Sequence, residues 1–251
     1  GFAAHWRASL QAHAAAGIVP DFIGLQNNPD SVPPDTDALE ACRFLPTEGT
    51  ATVTIDGASV EAAYPGFDQA LTAVVAAIAD LDPVPRILAP ETTGFGSVAE
   101  YLPHLDLASV DALAFHLYGT DPADVDVDGL RDLAALGQTS DRPLLQTEMQ
   151  SDGLGTAVLA HHALVDGGAT AYLQNDLVGA ATAPDGSPLA LVAIDAEGFT
   201  IRDPYHSLRH WARFTEPGWV RVAADDEADD LLASAWLAPT DDALTVVLVN
   251  S

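Results

Sequence analysis

Short apolar runs with strand character alternate with segments of helical spacing along most of this 251-residue chain. The strand candidates lie at 22–25, 87–89, 111–118, 144–146 and 170–173. The helix candidates lie at 1–16, 68–81, 98–105, 128–136, 156–165 and 206–214. Five strand–helix units in series predict a parallel sheet, because parallel neighbours need a crossover connection of about this length.

Two regions depart from this alternation. After Pro217, short β-type runs at 219–222, 233–237 and 244–249 replace the helical spacing. This change predicts one domain over 1–216 and the start of a β-sandwich-like domain over 217–251. The stretch 30–65 carries scattered prolines and acids but few periodic apolar residues, and it is too long for an ordinary connection. We interpret it as a functional loop over the sheet.

The net charge of the chain restricts the classes of partner that it could bind. Nine basic residues, all arginine, stand against 37 acidic ones, so the formal charge is −28. Nucleic acids and anionic membranes are excluded because their phosphates would be repelled, and no apolar run is long enough to span a bilayer. The favoured explanation of the acidity is a salt-adapted or biased proteome, and the alternative is a cation-collecting protein. The single cysteine, Cys42, excludes an intramolecular disulfide.

Polar or ionisable residues follow all five strand candidates. The carboxyl ends of parallel strands are where α/β proteins gather their chemistry, so this repetition favours a functional site. Glu148 is the sharpest candidate, because a carboxylate at a strand end can attack an electrophilic carbon, act as a base or bind a metal. The structural alternative is a carboxylate paired with an arginine. The five groups are Gln26–Asp30, Pro90-Glu91, His116–Gly119, Thr147-Glu148 and Gln174–Asp176.

These strand ends resemble motifs of glycoside hydrolase family 30, a family of retaining (β/α)8 glycosidases. The run Gln26-Asn27-Asn28-Pro29-Asp30 resembles the Gln-Asn-Glu-Pro-Asp motif that the family carries at strand four. Runs 87–91, 115–119 and 146–148 follow in the family's order, and runs 214–222, 234–236 and 247–250 resemble its β-domain. The resemblance implies an α/β fold: a partial (β/α)8 TIM barrel of about strands 4–8, followed by an incomplete all-β side domain. Barrel units one to three, apart from the last helix, would lie upstream of Gly1, and the β-domain would finish beyond Ser251.

The resemblance also implies roles for single residues. Glu148 falls on the position of the nucleophile, and Asn28 falls on the position of the general acid/base. The implied substrate-binding residues are Asn27, His116, Tyr118, Glu91 and Gln174. Gln174 lies at strand eight, where many family members carry a tryptophan platform for sugar.

Asn28 is a chemical departure from the family, because an amide can neither protonate a leaving oxygen nor deprotonate water. Four explanations stay open: an engineered trap, a natural pseudoenzyme, a sequence error, or an acid supplied by another residue. The candidates for a relocated acid are Asp30, Glu91, Glu40 and Glu48.

The predicted function is therefore retaining cleavage of a neutral β-linked glycan through an intermediate on Glu148, with the acid/base missing or relocated. The alternatives are a non-catalytic carbohydrate-binding pseudoenzyme and an inactive fragment. The resemblance implies that a uronate would be bound by basic residues just after strand eight, as in the family's glucuronoxylan-cleaving branch. Residues 177–184 contain none, and the charge of −28 also disfavours an anionic substrate, so a neutral glycan is favoured. The expected partner is an oligo- or polysaccharide, the family implies a secreted or cell-surface location, and the oligomeric state stays open.

No cofactor or metal is predicted. The run 124–129 copies the start of a calcium-binding EF-hand loop, but Ala135 stands where the loop needs a bidentate glutamate. His161 and His162 are adjacent on a predicted helix and point in different directions, so a core or surface role is the default. The sequence contains no phosphate-binding loop and no dinucleotide-binding fingerprint.

Overall fold

The computed structural model describes residues 1–31, 43–55, 57–181, 189–225, 228, 230–240 and 242–251. Glu40 and Cys42, which the sequence singled out, lie outside these residues. The chain divides into two compact units. Unit 1 comprises Gly1–His116 and Ala135–Leu145, and unit 2 comprises Leu117–Ala134 and Gln146–Ser251.

The elements follow the predicted alternation closely. The helices are α1 (Phe2–Ala15), α2 (Phe67–Ile78), α3 (Val98–Tyr101), α4 (Val127–Ser140), α5 (Gly153–Val165) and α6 (Asp203–Ala212). The strands in the alternating part are β1 (Phe22–Gly24), β2 (Gly49–Ile55), β3 (Ala58–Tyr64), β4 (Arg86–Thr92), β5 (Ala112–His116), β6 (Leu144–Glu148) and β7 (Ala169–Tyr172). The later strands are β8 (Val178–Ala180), β9 (Val192–Ile194), β10 (Phe199–Ile201), β11 (Val220–Val222), β12 (Leu231–Leu237) and β13 (Leu244–Asn250).

The predicted parallel sheet is present. Five strands form one sheet in the order β1-β4-β5-β6-β7. Parallel pairing sets Ile23 opposite Ile87 and Leu88 opposite Ala112. A five-stranded parallel sheet with flanking helices fits a partial α/β barrel, which confirms the predicted fold class. The antiparallel sheet β11-β12-β13 is consistent with a side domain, while the boundary between residues 216 and 217 stays a prediction.

Two strand groups were not predicted. Strands β2 and β3 pair antiparallel as a hairpin, so the interpretation of 30–65 as a loop was wrong over 49–55 and 58–64. The cause is β propensity: Thr50, Thr52 and Thr54 alternate along the first strand, and Gly57 has a φ of +79° in the turn. The second group is the small sheet β8-β9-β10, which lies in the sequence between β7 and α6.

The core of unit 1 includes β5 and one face of α2. All five residues of β5 are buried, up to and including His116 at its carboxyl end. Helix α2 presents Leu71, Val74 and Ile78 on one face, and each is at most 1% exposed. Burial of these side chains holds the sheet rigid where the polar residues leave it.

The core of unit 2 joins helices to the last antiparallel sheet. Ala157, Val158 and Ala160 of α5 pack in one cluster with Trp211 of α6 and, from β12 and β13, Trp236, Val247 and Val249. Helix α5 is therefore covered on several sides, which explains its nearly uniform apolar sequence. None of the helices in the described part of the chain is long and apolar enough to cross a membrane.

A charged network closes the carboxyl end of α5. His162 donates from Nδ1 to Asp166 at 2.8 Å, and Arg131 lies 3.1 Å from the other carboxylate oxygen. Burial alone would raise the pKa of Asp166, but the hydrogen bond from His162 and the nearby positive charges outweigh it and hold the pKa below its ordinary value. His161, His162 and Asp166 each offer one ligand atom that could hold a metal ion. These three atoms lie within 4.8 Å of one another. Because the carboxylate of Asp166 is already paired with Arg131 and His162, we interpret the group as a structural network.

The substitution Asp166→Asn is expected to lower the free energy of unfolding by about 1–3 kcal/mol at pH 7, since it removes charged hydrogen bonds. A lowered folded-state pKa stabilises the protein above the unfolded value of about 3.9. The difference between parent and variant should therefore shrink as the pH falls through 4 and below. Denaturant unfolding at several pH values measures it.

The matched control is Asp128→Asn, because Asp128 also contacts Arg131 but its side chain is 95% exposed. This control should leave stability unchanged. A cost for Asp166→Asn that stays constant down to pH 2 would contradict the network.

Candidate active site

The strand ends of unit 1 bring together Asn28, Glu91 and His116. The backbone N–H of Asn28 donates to the carbonyl of Glu91 at 3.1 Å. His116, only 1% exposed, is 2.8 Å from the side-chain oxygen of Asn28 through Nδ1. Because an amide oxygen can only accept, Nδ1 of His116 carries the proton in this bond. The predicted acid/base position and a predicted sugar-binding residue are therefore direct partners.

The backbone of this group is strained. Asn28 and Glu91 have φ values of +49° and +63°, in the left-handed region that side chains other than glycine adopt reluctantly. Glu91 lies at a register shift in β4, where Pro90 faces Ala114 but Thr92 already faces Phe115. Bulges of this kind turn a side chain away from the regular strand alternation, and such strain is common at functional sites.

Gly24 makes room for the redirected carboxylate of Glu91. A Cβ atom on Gly24 would lie 1.4 Å from Oε2 of Glu91, so any larger residue would displace the carboxylate. The half-buried Glu91 thus occupies the space of a missing side chain at the end of β1. Glycine is required here by close approach rather than by its backbone angles.

The other predicted residues of unit 1 have different surroundings. The side chain of Asn27 is exposed. Asp30 accepts two hydrogen bonds from Thr93, one from the backbone N–H at 2.8 Å and one from the hydroxyl at 2.9 Å. Glu48 accepts a hydrogen bond from Gln69 at 3.0 Å. Asp30 is therefore held as a structural brace of its loop, which weakens it as a relocated acid.

Unit 2 holds the predicted nucleophile. Glu148 is the last residue of β6, and the hydroxyl of Tyr118 donates to its Oε1 at 2.8 Å. Burial raises the pKa of Tyr118 to about 12, and Glu148 and Asp176 act in the same direction, whereas a hydrogen bond from the side chain of Asn175 acts against them. Tyr118 is consequently a neutral hydrogen-bond donor at physiological pH.

The end of β7 is joined to the end of β6 by main-chain bonds. The N–H of Leu173 donates to the carbonyl of Gln146 at 3.0 Å, and the N–H of Asn175 donates to the carbonyl of Met149 at 2.9 Å. The fully buried Gln146 also accepts from the N–H of Leu173 with its side-chain oxygen. These bonds place Asn175 beside the residue that follows Glu148.

Gln174 and Asn175 have different surroundings. The side-chain amide of Gln174 donates to the carbonyl of Leu189 at 3.2 Å, so it anchors the chain near β9. Asn175 instead contacts Tyr118, a partner that the sequence analysis did not identify. The run of polar residues after β7 signalled that an amide would be present, but not which of its side chains would face Tyr118. A sugar-binding role for Gln174 stays a prediction.

Comparisons with known proteins identify the fold. No known family profile matches the chain, and no curated protein matches it. Among solved structures, the catalytic domain of GH30 xylanase C from Talaromyces cellulolyticus matches 95% of this chain and 51% of its own, with 14% identity and a TM-score of 0.66. SrfJ from Salmonella typhimurium matches 93% of this chain and 51% of its own, with 15% identity and a TM-score of 0.65.

A third structure, an arabinose-bound GH51 α-L-arabinofuranosidase, matches 73% of this chain and 31% of its own, with 14% identity and a TM-score of 0.51. The chain spans about half the length of the first two structures. At these identities the matches show the fold alone, which is shared with the catalytic domain of a GH30 xylanase and with a GH51 arabinofuranosidase.

The contact between Gly24 and Glu91 can be tested by a double-mutant cycle. Gly24→Ala should lower the free energy of unfolding by at least about 1 kcal/mol, because the new methyl group displaces the half-buried carboxylate. In a Glu91→Ala background the same change should cost less, by a coupling energy of about 1 kcal/mol. Chemical denaturation of the four proteins measures the coupling.

Gly96→Ala is the control, since a Cβ on Gly96 meets nothing within 4 Å. Equal costs of Gly24→Ala in both backgrounds would show that Glu91 does not occupy the space above Gly24.

Proposed function

We propose that this chain is part of a retaining β-glycosidase related to glycoside hydrolase family 30, with Glu148 as the nucleophile and a neutral β-linked glycan as substrate. The observation that carries the proposal is the hydrogen bond from Tyr118 to Glu148 at the carboxyl end of a strand. The fold shared with glycosidases supports it. The formal charge of −28 favours a neutral glycan over an anionic one.

The chemistry of the first step follows from the carboxylate. One oxygen of Glu148 attacks the anomeric carbon, the bond to the leaving oxygen breaks, and its electron pair departs with that oxygen. Tyr118 stays protonated because its pKa is raised to about 12, so it donates to Glu148 throughout the working pH range. This bond fixes the rotamer of Glu148 and restricts the directions in which the carboxylate can attack.

The leaving oxygen needs a proton that Asn28 cannot supply. The side-chain oxygen of Asn28 accepts from His116, and an amide N–H is far too weak an acid to serve. We infer that the acid/base is absent or is supplied by another residue. The candidates within the described part of the chain are Asp30, Glu48 and Glu91, and both Asp30 and Glu48 accept hydrogen bonds from neighbours.

The second candidate function is a carbohydrate-binding protein without turnover. The amide at position 28 favours it, because the half-buried Asn28 can hydrogen-bond a sugar but has no titrating carboxyl group. A binding protein would need a shaped pocket and not the charge of Glu148. In both cases the proposed partner is an oligo- or polysaccharide, and a secreted or cell-surface location is proposed with it.

The substitution Glu148→Gln separates the two functions. In a glycosidase it should lower the release of dinitrophenol from a dinitrophenyl β-glycoside by at least about 10³-fold, because the nucleophile is lost. Such a leaving group needs no acid, so the measurement is independent of Asn28. Glu216→Gln, which changes an exposed glutamate of the same unit, is the control and should retain parent activity.

Equal activities of the parent and Glu148→Gln would refute the assignment of the nucleophile. Binding of a neutral oligosaccharide by both proteins, measured by calorimetry without product formation, would establish the binding function instead.

The substitution Asn28→Glu should raise sugar release from neutral β-glycans by about 10²- to 10⁴-fold, since it restores a general acid/base. Reducing-sugar assays on the full-length protein and the variant measure the change. If the parent is already active and the variant gains nothing, the acid lies elsewhere and the proposed role of position 28 is wrong.

A further inference from the structure

The small sheet β8-β9-β10 of unit 2 turns an apolar face to solvent. Pairing sets Val178 opposite Val192 and Ile194 opposite Phe199, and residues opposite each other in a sheet share a face. Side chains also alternate between the two faces along each strand. The six residues of this face, which we call the apolar platform, are Val178, Ala180, Val192, Ile194, Phe199 and Ile201.

The two faces of this sheet are unusual in their composition. The face opposite the platform carries the smaller residues Gly179, Ala193 and Thr200, and Ala193 is only 4% exposed. On the platform, by contrast, Phe199 is 73% exposed and Ile194 is 48% exposed. A sheet normally points its large apolar side chains to the covered side. A contiguous apolar face in solvent is typical of a binding surface.

We propose that the apolar platform binds sugar rings of a neutral β-linked glycan. The proposal rests on the proposed function, because it concerns the same class of substrate. The rings of such glycans present C–H groups on their faces, and these groups pack on aromatic and aliphatic side chains. Phe199, the most exposed residue of the platform, supplies the aromatic surface.

The charges on and around the platform favour a neutral ligand. None of the nine residues of β8, β9 and β10 is charged, in a chain that has 37 acidic residues. The turn between β9 and β10 carries Asp195 and Glu197, and both are exposed. Carboxylates accept hydrogen bonds from sugar hydroxyls but repel anions. A neutral sugar therefore fits this surface, whereas a uronate or a nucleic acid does not.

A second copy of this chain fits the platform less well than a glycan does. Each partner contributes about 20–30 residues to a stable protein interface. The platform offers six side chains on three strands of three residues each. The formal charge of −28 adds repulsion between copies. The platform is thus too small for a stable dimer but large enough to contact a few sugar rings.

The platform is connected by main-chain hydrogen bonds to the strand end that carries Glu148. The N–H of Val192 on the platform donates to the carbonyl of Leu177 at 3.0 Å. The N–H of Asn175 donates at 2.9 Å to the carbonyl of Met149, the residue directly after Glu148. Leu177 and Asn175 lie in the short segment between β7 and β8. The same segment therefore holds the platform and the end of β6 within unit 2.

Protection of a thiol tests whether sugar covers the platform, and it needs no turnover. In the full-length protein, Cys42→Ser removes the natural thiol, and Ala180→Cys places one at an exposed position of the platform. This thiol should react with a maleimide. Cellohexaose or xylohexaose at about ten times its Kd should slow the reaction about tenfold, because only the free protein reacts.

Ala224→Cys is the matched control, because Ala224 is an exposed alanine of the same unit outside the platform. Its rate of labelling should not respond to sugar. Equal labelling of the Ala180→Cys protein with and without both sugars would overturn the proposal. A thiol at position 180 that fails to react without sugar would overturn it as well, since another part of the protein would then cover the platform.

Calorimetry tests the contribution of Phe199 to affinity. In a Glu148→Gln background, which prevents turnover, Phe199→Ala should weaken the binding of the neutral hexasaccharide about tenfold, because the aromatic contact is lost. Phe214→Ala should leave the affinity unchanged, since Phe214 is 54% exposed but lies outside the platform. An anionic hexagalacturonate should bind at least about tenfold more weakly than the neutral sugars. Equal affinities of the parent and Phe199→Ala would contradict the proposal.

Two further results separate this proposal from its alternatives. A dimer in sedimentation experiments without sugar, if Phe199→Asp dissociates it, would assign the platform to self-association and overturn the proposal. If Glu148→Gln leaves dinitrophenol release unchanged while sugar still protects the thiol at position 180, the nucleophile assignment fails and the platform stands. If Glu148→Gln abolishes release but sugar gives no protection, the platform fails and the nucleophile stands.

Discussion

Parallel strand pairing is the constraint on which the candidate site depends. Because β1 pairs with β4 and β4 with β5, the residues that leave these strands emerge at the same edge of the sheet. Asn28, Glu91 and His116 are distant in the sequence, yet they meet there within hydrogen-bond range of Asn28. The same logic brings Asn175 to the residue after Glu148 in unit 2. The fold thus assembles these polar groups at the ends of its strands.

The strand ends accept local strain in order to place these groups. Glu91 adopts a left-handed conformation at a bulge, and the glycine at position 24, which has no side chain, leaves space for the carboxylate of Glu91. Each feature costs free energy that a purely structural sheet would avoid. The almost complete burial of the apolar side chains of β5 and α2 offsets this cost.

The sequence predicted the helices and strands more completely than it predicted the contacts between side chains. Periodicity located the strands and helices of the parallel sheet, but the start of α5 was placed at 156 instead of Gly153. The missed signal was Asp152, which caps the helix by accepting from the N–H of Gly155. The hairpin β2–β3 was not predicted, because the scattered prolines and acids of the stretch 30–65 obscure the alternating threonines of β2. Asn175 was visible as a polar residue after a strand, but its partner depends on the register between β6 and β7, which periodicity does not contain.

The residue at position 28 can change the chemistry of the candidate site without changing the fold. Nδ1–H of His116 donates to the side-chain oxygen of Asn28, and it could donate equally well to a carboxylate oxygen in the same place. Exchange of a carboxylate for an amide therefore leaves the surrounding hydrogen bonds satisfied and the fold undisturbed. What changes is the ability to transfer a proton, which is worth about 10²- to 10⁴-fold in rate. In the proposed glycosidase this one residue decides how the leaving oxygen is protonated, while the hydrogen bond from Tyr118 orients Glu148 for the step that needs no acid.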